Sequence, residues 1–217
     1  MVEWASVPEV RRVAGVTTTD FSDAQIQDAI AMSQKEVNSK ILTKITREPV
    51  LYIDPFRDND IDASNTTYYI KNWRGNFFAD TNYNNTITTS DVSVIKYVTS
   101  TETESELTVS SIDISACSFT LSIAPTSDEK LYVSYGYMPL NPTTPDGFLK
   151  QCVIYLAGSY LLLGNEGHEI RFGNVSIKPG KAGGKGEQLY NKYLELISQL
   201  NINMTGGTLW SQMAENI

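Results

Sequence analysis

The chain has 217 residues, 41% hydrophobic and 19% charged, enough to bury a core domain with a sizeable insertion and too apolar for wholesale disorder. Its formal net charge of −8 is uneven, because residues 50–138 hold 12 Asp/Glu against 5 Lys/Arg while residues 139–217 balance at 6 against 6. An acidic surface gains no counterion-release affinity from duplex DNA, which argues against tight, sequence-reading DNA binding.

The opening Met1-Val2-Glu3-Trp4 lacks the basic and apolar regions of a secretory signal. The longest apolar run, 152–163, is shorter than the roughly 20 residues a membrane span requires. Cys117 and Cys152 show no CxxC spacing and are expected to be buried free thiols. These features predict a protein made and kept in a cytoplasm.

In chain order, Ser6-Val7-Pro8-Glu9 has the form of a capping box with Pro in the first turn, predicting a short helix that stops at Gly15. Thr17-Thr18-Thr19-Asp20 makes a polar turn. Ser22 with Gln25 opens a second helix, along which Ile26, Ile30, Val37, Ile41 and Ile45 follow at helical spacing, so it is expected to run to about Thr46. From Val50 the period changes. Short β-branched or aromatic runs at 50–53, 67–70, 92–98, 107–109, 119–123 and 131–137 are separated by Asp, Asn, Ser, Gly and Pro. They predict a small antiparallel β domain of about six strands.

Helices return after Met138-Pro139-Leu140-Asn141-Pro142. Asp146 is placed to cap a helix over 147–163 that is apolar nearly all round and belongs at the centre of a bundle. Residues 169–178 look extended, and a Gly/Lys-rich loop over 178–186 precedes a last helix with Leu189, Tyr193, Leu196, Ile197 and Leu200 on one face. The tail, 201–217, shows no helical period and is expected to be extended, ordered only against a partner through Ile202, Met204, Leu209, Trp210 and Met213. The fold class is therefore α+β: a four-helix domain from 1–49 and 139–200, an inserted antiparallel β domain at 50–138, and a docking tail at 201–217.

Candidate chemistry is sparse. Any nucleophile–His–acid site must use His168, the one histidine, and no Gly-x-Ser-x-Gly elbow accompanies it. One His and two scattered Cys cannot supply a zinc ligand set. Gly180-Lys-Ala-Gly-Gly-Lys185-Gly186 fails the phosphate-loop spacing, and no Ser or Thr follows Lys185 to hold magnesium. No catalytic, cofactor-binding or metal residue is therefore assigned. The sharpest motif is Asp80-Thr-Asn82-Tyr-Asn84-Asn85-Thr86-Ile87-Thr-Thr-Ser-Asp91, with oxygen groups at positions 1, 3, 5 and 12 as in an EF-hand loop. Asn85 stands where that loop has Gly, and Asp91 where it has a bidentate Glu. Two readings stay open: a weak calcium site, or an Asn-rich turn.

Trp4-Ala-Ser-Val-Pro-Glu-Val-Arg-Arg-Val-Ala-Gly, Thr-Thr-Asp20-Phe-Ser-Asp23-Ala-Gln-Ile-Gln-Asp-Ala-Ile and Ser33-Gln-Lys-Glu36-Val-Asn38 together resemble the opening of head–tail connector adaptors of tailed phages. The match covers roughly 4–48 by motif, and the later elements agree by order alone. The resemblance implies a virion structural protein and no enzyme. It implies a homo-oligomeric, dodecameric ring under the portal protein, at the head–tail junction, with the next neck or tail protein below. DNA would pass through the lumen without sequence readout. The helical domain would be a connector domain forming the ring wall, and the tail would reach the portal or a neighbouring subunit. Lys178, Lys181 and Lys185 would border the channel, where mobile lysines suit transient phosphate contact. The rival readings are a neck stopper or tail completion ring protein, and a module whose β domain binds a surface or glycan with a weak calcium site.

Overall fold

The computed structural model describes residues 3–50, 56–145, 147–165, 169–172, 175–177 and 184–214, and side chains over 3–50, 56–145, 147–163 and 184–200. The chain divides into two compact units, one of Met1–Lys40 with Pro145–Ile217 and one of Ile41–Thr144. It is a mixed α+β protein, with four α-helices and antiparallel sheets among the described residues.

In the first unit, helix α1 (Val7–Ala14) begins where Glu9 Oε2 accepts from the backbone N–H of Ser6 at 3.0 Å and from its Oγ at 2.7 Å. It ends where Gly15 takes φ +71° and its N–H reaches Arg11 O at 2.8 Å, a left-handed closure that costs glycine little. The chain then turns a tight corner. The Arg11 guanidinium donates to Thr17 O, Phe21 O and Asp23 Oδ1, and Asp20 Oδ2 accepts the Thr17 N–H at 2.7 Å. Helix α2 (Asp23–Ile41) opens on a reciprocal cap: Gln25 Oε1 accepts the Ser22 N–H at 2.9 Å, and Ser22 Oγ accepts the Gln25 N–H at 3.3 Å.

Helix α3 (Gly147–Asn165) buries Leu149, Cys152, Val153, Leu156 and Ala157 completely, as its all-round apolarity required. A methyl built at Gly158 would lie 3.0 Å from Leu189 and 3.6 Å from Ala14, so the bare backbone lets α1 and the last helix pack closely on α3. Lys150 of α3 pairs with Glu9 of α1 at 2.6 Å, and that ammonium is the main reason the Glu9 carboxyl falls to about 2. Strands β9 (Glu169–Phe172) and β10 (Val175–Ile177) pair antiparallel within the stretch expected to be extended.

Helix α4 spans Lys185–Ala214, which corrects two expectations. The Gly/Lys loop ends before Lys185 and does not continue to Gly186. The segment from Asn201 onward continues as helix to Ala214 where an extended tail was expected. A formed helix adds residues cheaply once nucleated, so the α4 core from Leu189 to Leu200 can carry on through weaker formers. On a helix, Ile202, Leu209 and Met213 also stand at i, i+7 and i+11, a single stripe that looked irregular when read as extended chain.

The second unit begins earlier than the expected boundary at residue 50. Helix α2 stops at Ile41, and Thr43–Pro49, expected as helix to about Thr46, is strand β1. Its β-branched Thr43, Ile45 and Thr46 suit a pleat, and β8 (Glu129–Met138) presents an edge for it to pair with, which outweighs the helical spacing of Ile45. The remaining strands are β2 (Thr67–Tyr69), β3 (Phe77–Phe78), β4 (Ser93–Val98), β5 (Thr103–Leu107), β6 (Val109–Asp113) and β7 (Ser118–Leu121). One sheet runs β1-β8-β4-β5 with β3 also on β8, and a second runs β2-β7-β6. Thr108, placed inside one expected strand, instead separates β5 from β6, and the expected strand at 50–53 lies outside the described residues from Leu51 on.

The two sheets enclose a core of Tyr68, Ile70, Phe78, Val94, Phe119, Leu131 and Val133 with Cys117. Burial raises the Cys117 thiol to about 12, and its Sγ donates to Asn76 O, which makes it an inert core group. Because this core is self-contained, replacing Leu42–Thr144 with a short Gly/Ser linker is expected to leave a soluble helical protein that melts cooperatively. Circular dichroism of that chain checks it. Aggregation or a non-cooperative melt would show that the helices need the β unit.

Candidate functional site

The loop over 80–91 gathers the four oxygen-bearing residues singled out in the sequence. Asp80 and Asp91 are 5% and 4% exposed, an unusual depth for carboxylates. Their oxygens face backbone donors. Asp80 accepts from Asn84 N at 3.2 Å and Asn85 N at 2.6 Å. Asp91 accepts from Thr81 N at 2.8 Å, Thr81 Oγ1 at 2.9 Å and Thr88 N at 2.9 Å. The Asn82 and Asn84 side chains each accept an N–H two residues on, from Asn84 at 3.1 Å and Thr86 at 2.8 Å. Asn85 takes φ +63°, the left-handed conformation that glycine occupies in the EF-hand pattern. These hydrogen bonds close the loop, and they hold Thr89–Asp91 as a single 3₁₀ turn leading into β4.

Of the three loop lysines, Lys178 and Lys181 lie outside the described residues, as does His168. Lys185 opens α4, and its Nζ lies against Gly15, since a methyl built there would fall 2.5 Å from it. An ammonium at the last carbonyls of α1 is favourably placed against the helix dipole. Lys185 therefore has a structural position that spacing alone did not reveal. The side chains of Ile202, Met204, Leu209, Trp210 and Met213 lie outside the described part of α4.

Two further polar clusters are structural. An open cleft of about 400 Å³ is lined by Asp60, Asp62, Asp128, Glu129 and Lys130 among others. Asp62 accepts N–H groups of Ser64 and Asn65, which lower its carboxyl to about 2, and Glu129 is tied to Lys96 at 2.6 Å. In the helical unit, Tyr160 Oη donates to Glu36 Oε2 at 2.8 Å and Tyr193 Oη to Glu36 Oε1 at 3.4 Å, joining α2, α3 and α4.

Burial first, and the Glu36 charge second, push both hydroxyls above the ordinary tyrosine value near 10. The folded state then keeps protons that the unfolded chain sheds above about pH 10, so this stability is present below that pH and lost above it. Above that pH the unfolding free energy from denaturant titrations is expected to fall by about 1.4 kcal/mol per pH unit for each such tyrosine. A Tyr193→Phe chain should show a shallower alkaline slope, and an unchanged slope would remove Tyr193 from this linkage.

One cluster escaped the sequence reading. The Arg57 guanidinium stacks over Tyr69 at 4.5 Å and Trp73 at 4.4 Å, while Arg74 lies 5.2 Å from Trp73 and 5.9 Å from Phe56. Phe56 is 74% exposed. The only signal available was Trp73-Arg74, an aromatic beside a cation in an acidic stretch. Arg57 and Tyr69 join it through the fold alone.

Among the described residues, no three His, Cys, Asp or Glu side chains gather to hold a metal ion, and no helix is long and apolar enough to cross a membrane. Comparison with protein-family models, curated proteins and solved structures finds no match to this chain.

Proposed function

We propose that the chain is a non-enzymatic virion protein of a tailed virus, an adaptor subunit in an oligomeric ring between portal and tail. The observation that carries this reading is where the resembling residues fall. Arg11, Asp20 and Asp23, with Ser22 and Gln25, build the α1–α2 corner, and Glu9 caps the start of α1, so the likeness to connector adaptors lies in a folded device and not in scattered identities. In this reading the helical unit is a connector domain that forms the ring wall, and the ring is dodecameric. Lys178 and Lys181 border the channel, with Lys185 fixing the end of their loop against α1. DNA passes without sequence readout, which suits an acidic chain. The end of α4, with Trp210 as anchor, docks on the portal or on a neighbouring subunit, and the next neck or tail protein binds below.

Mass photometry of the purified chain, alone and mixed with its portal, tests the reading. A portal complex heavier by a full ring of this chain is the expected result. Portal mass left unchanged would overturn it and favour a surface- or glycan-binding module. A ring that joins the portal only through another neck protein would make the chain a stopper.

A further inference from the structure

The β unit carries two surfaces of opposite character at opposite edges. At the β1/β2 edge stand Phe56, Arg57, Trp73 and Arg74, with exposed Lys71 beside them. This edge is located by two hydrogen bonds: Lys71 N–H donates to Glu48 of β1 at 3.2 Å, and Asn72 Nδ2 donates to Tyr135 Oη at 3.0 Å. Three of the five basic residues of 50–138 are gathered here. Of the other two, Lys96 is tied to Glu129.

At the far edge, β8 and β4 intervening, lies β5. It is the last strand of its sheet, and Thr103–Glu106 are exposed on both faces. Glu104 and Glu106 alternate along it and so point to one side, and exposed Glu102 stands in the turn just before it. Glu104 is held at 2.6 Å by Arg47, which reaches across the sheet from β1, and Glu106 accepts from Ser93 Oγ at 3.4 Å, so the exposed carboxylates flanking this pair are Glu102 and Glu106. An edge strand that buries so little is a ready template for another chain, and only its charge discourages promiscuous pairing. The opposite edge, β1, is blunted by the bulge between Ile45 and Glu48 and by Pro49.

We infer that the Arg-aromatic edge of one copy receives the acidic β5 edge of a second copy of this chain. Complementary patches on opposite edges make a head-to-tail contact, which closes into a ring or grows as a filament and does not stop at a symmetric dimer. Stacked Arg and Trp supply the anchors typical of an interface, and opposed charges set register and partner. Closure into a ring rests on the adaptor reading above. The pairwise contact does not.

Analytical ultracentrifugation of the full chain over a salt series tests the contact. Wild type is expected to self-associate at low salt and to weaken as salt rises. Lys71→Glu/Arg74→Glu and Glu102→Lys/Glu106→Lys, all at exposed positions, should each weaken association by roughly a hundredfold. Phe56→Ser should weaken it without a change of charge. Mixing the two charge-reversed chains should restore association between them, a rescue that misfolding cannot imitate. A wild type monomeric at low salt, reversed variants that associate like wild type, or a mixture that stays monomeric would each overturn the inference. Portal docking is read separately, so a chain that ignores the portal yet shows the rescue sinks the adaptor reading and leaves this contact standing.

Discussion

If the chain is the adaptor proposed above, ending it after Leu200 is expected to abolish docking on the portal while leaving the protein folded. Among the described side chains of α4, the buried large apolar ones are Leu189, Tyr193, Ile197 and Leu200, and the cut keeps all four. What is removed carries Ile202, Leu209, Trp210 and Met213, residue types that anchor interfaces. Burying one Trp in a partner's pocket is worth about 2 kcal/mol or more, and a ring repeats that gain in every copy. Docking should therefore vanish, not weaken slightly. Thermal melting checks the fold and mass photometry checks the docking. A truncated chain that still joins the portal at wild-type concentrations would take this segment out of the mechanism.

Asp91→Ala is expected to destabilise the β unit by roughly 3–5 kcal/mol, among the largest effects of any single side chain outside the core. Asp91 bridges both ends of its loop, accepting from Thr81 on one side and Thr88 on the other, and it sits almost wholly out of water. Alanine would leave those N–H groups buried without an acceptor. Asp91→Asn keeps one oxygen and turns an amide N–H₂ toward another donor, so about half the loss should remain. Urea unfolding in the presence of a chelator reads the hydrogen bonds alone. A wild-type midpoint for Asp91→Ala would mean that the loop adds nothing to the fold.

The candidate surfaces differ in how far residue order reveals them. Asp80 and Asp91 were recognisable as the ends of one loop, because their spacing and the intervening Asn residues are local. That their oxygens face N–H groups was not, since the direction of a carboxylate depends on the backbone around it. The stack of Arg57 on Tyr69 and Trp73 could not be read at all. Its members lie in different segments, and only the closing of the β unit brings them together.

The same division runs through the fold. Ser6, Gly15, Ser22 and Gln25 determine where α1 starts and stops and where α2 starts, because a cap is satisfied by neighbours a few residues away. The apolar run of α3 and the alternation along β7 and β8 determine their burial for the same reason. Tertiary structure alone decided that α2 yields to β1 at Thr43, that the polar stretch Thr103–Leu107 becomes an edge strand, and that α4 carries on beyond Leu200. The first outcome rests on hydrogen bonds to β8, far away along the chain, the second on pairing with β4 across the turn at 99–102, and the third on a helix already held by packing against α3. Local propensity is worth tenths of a kcal/mol per residue, and a paired strand or a packed helix face outweighs it.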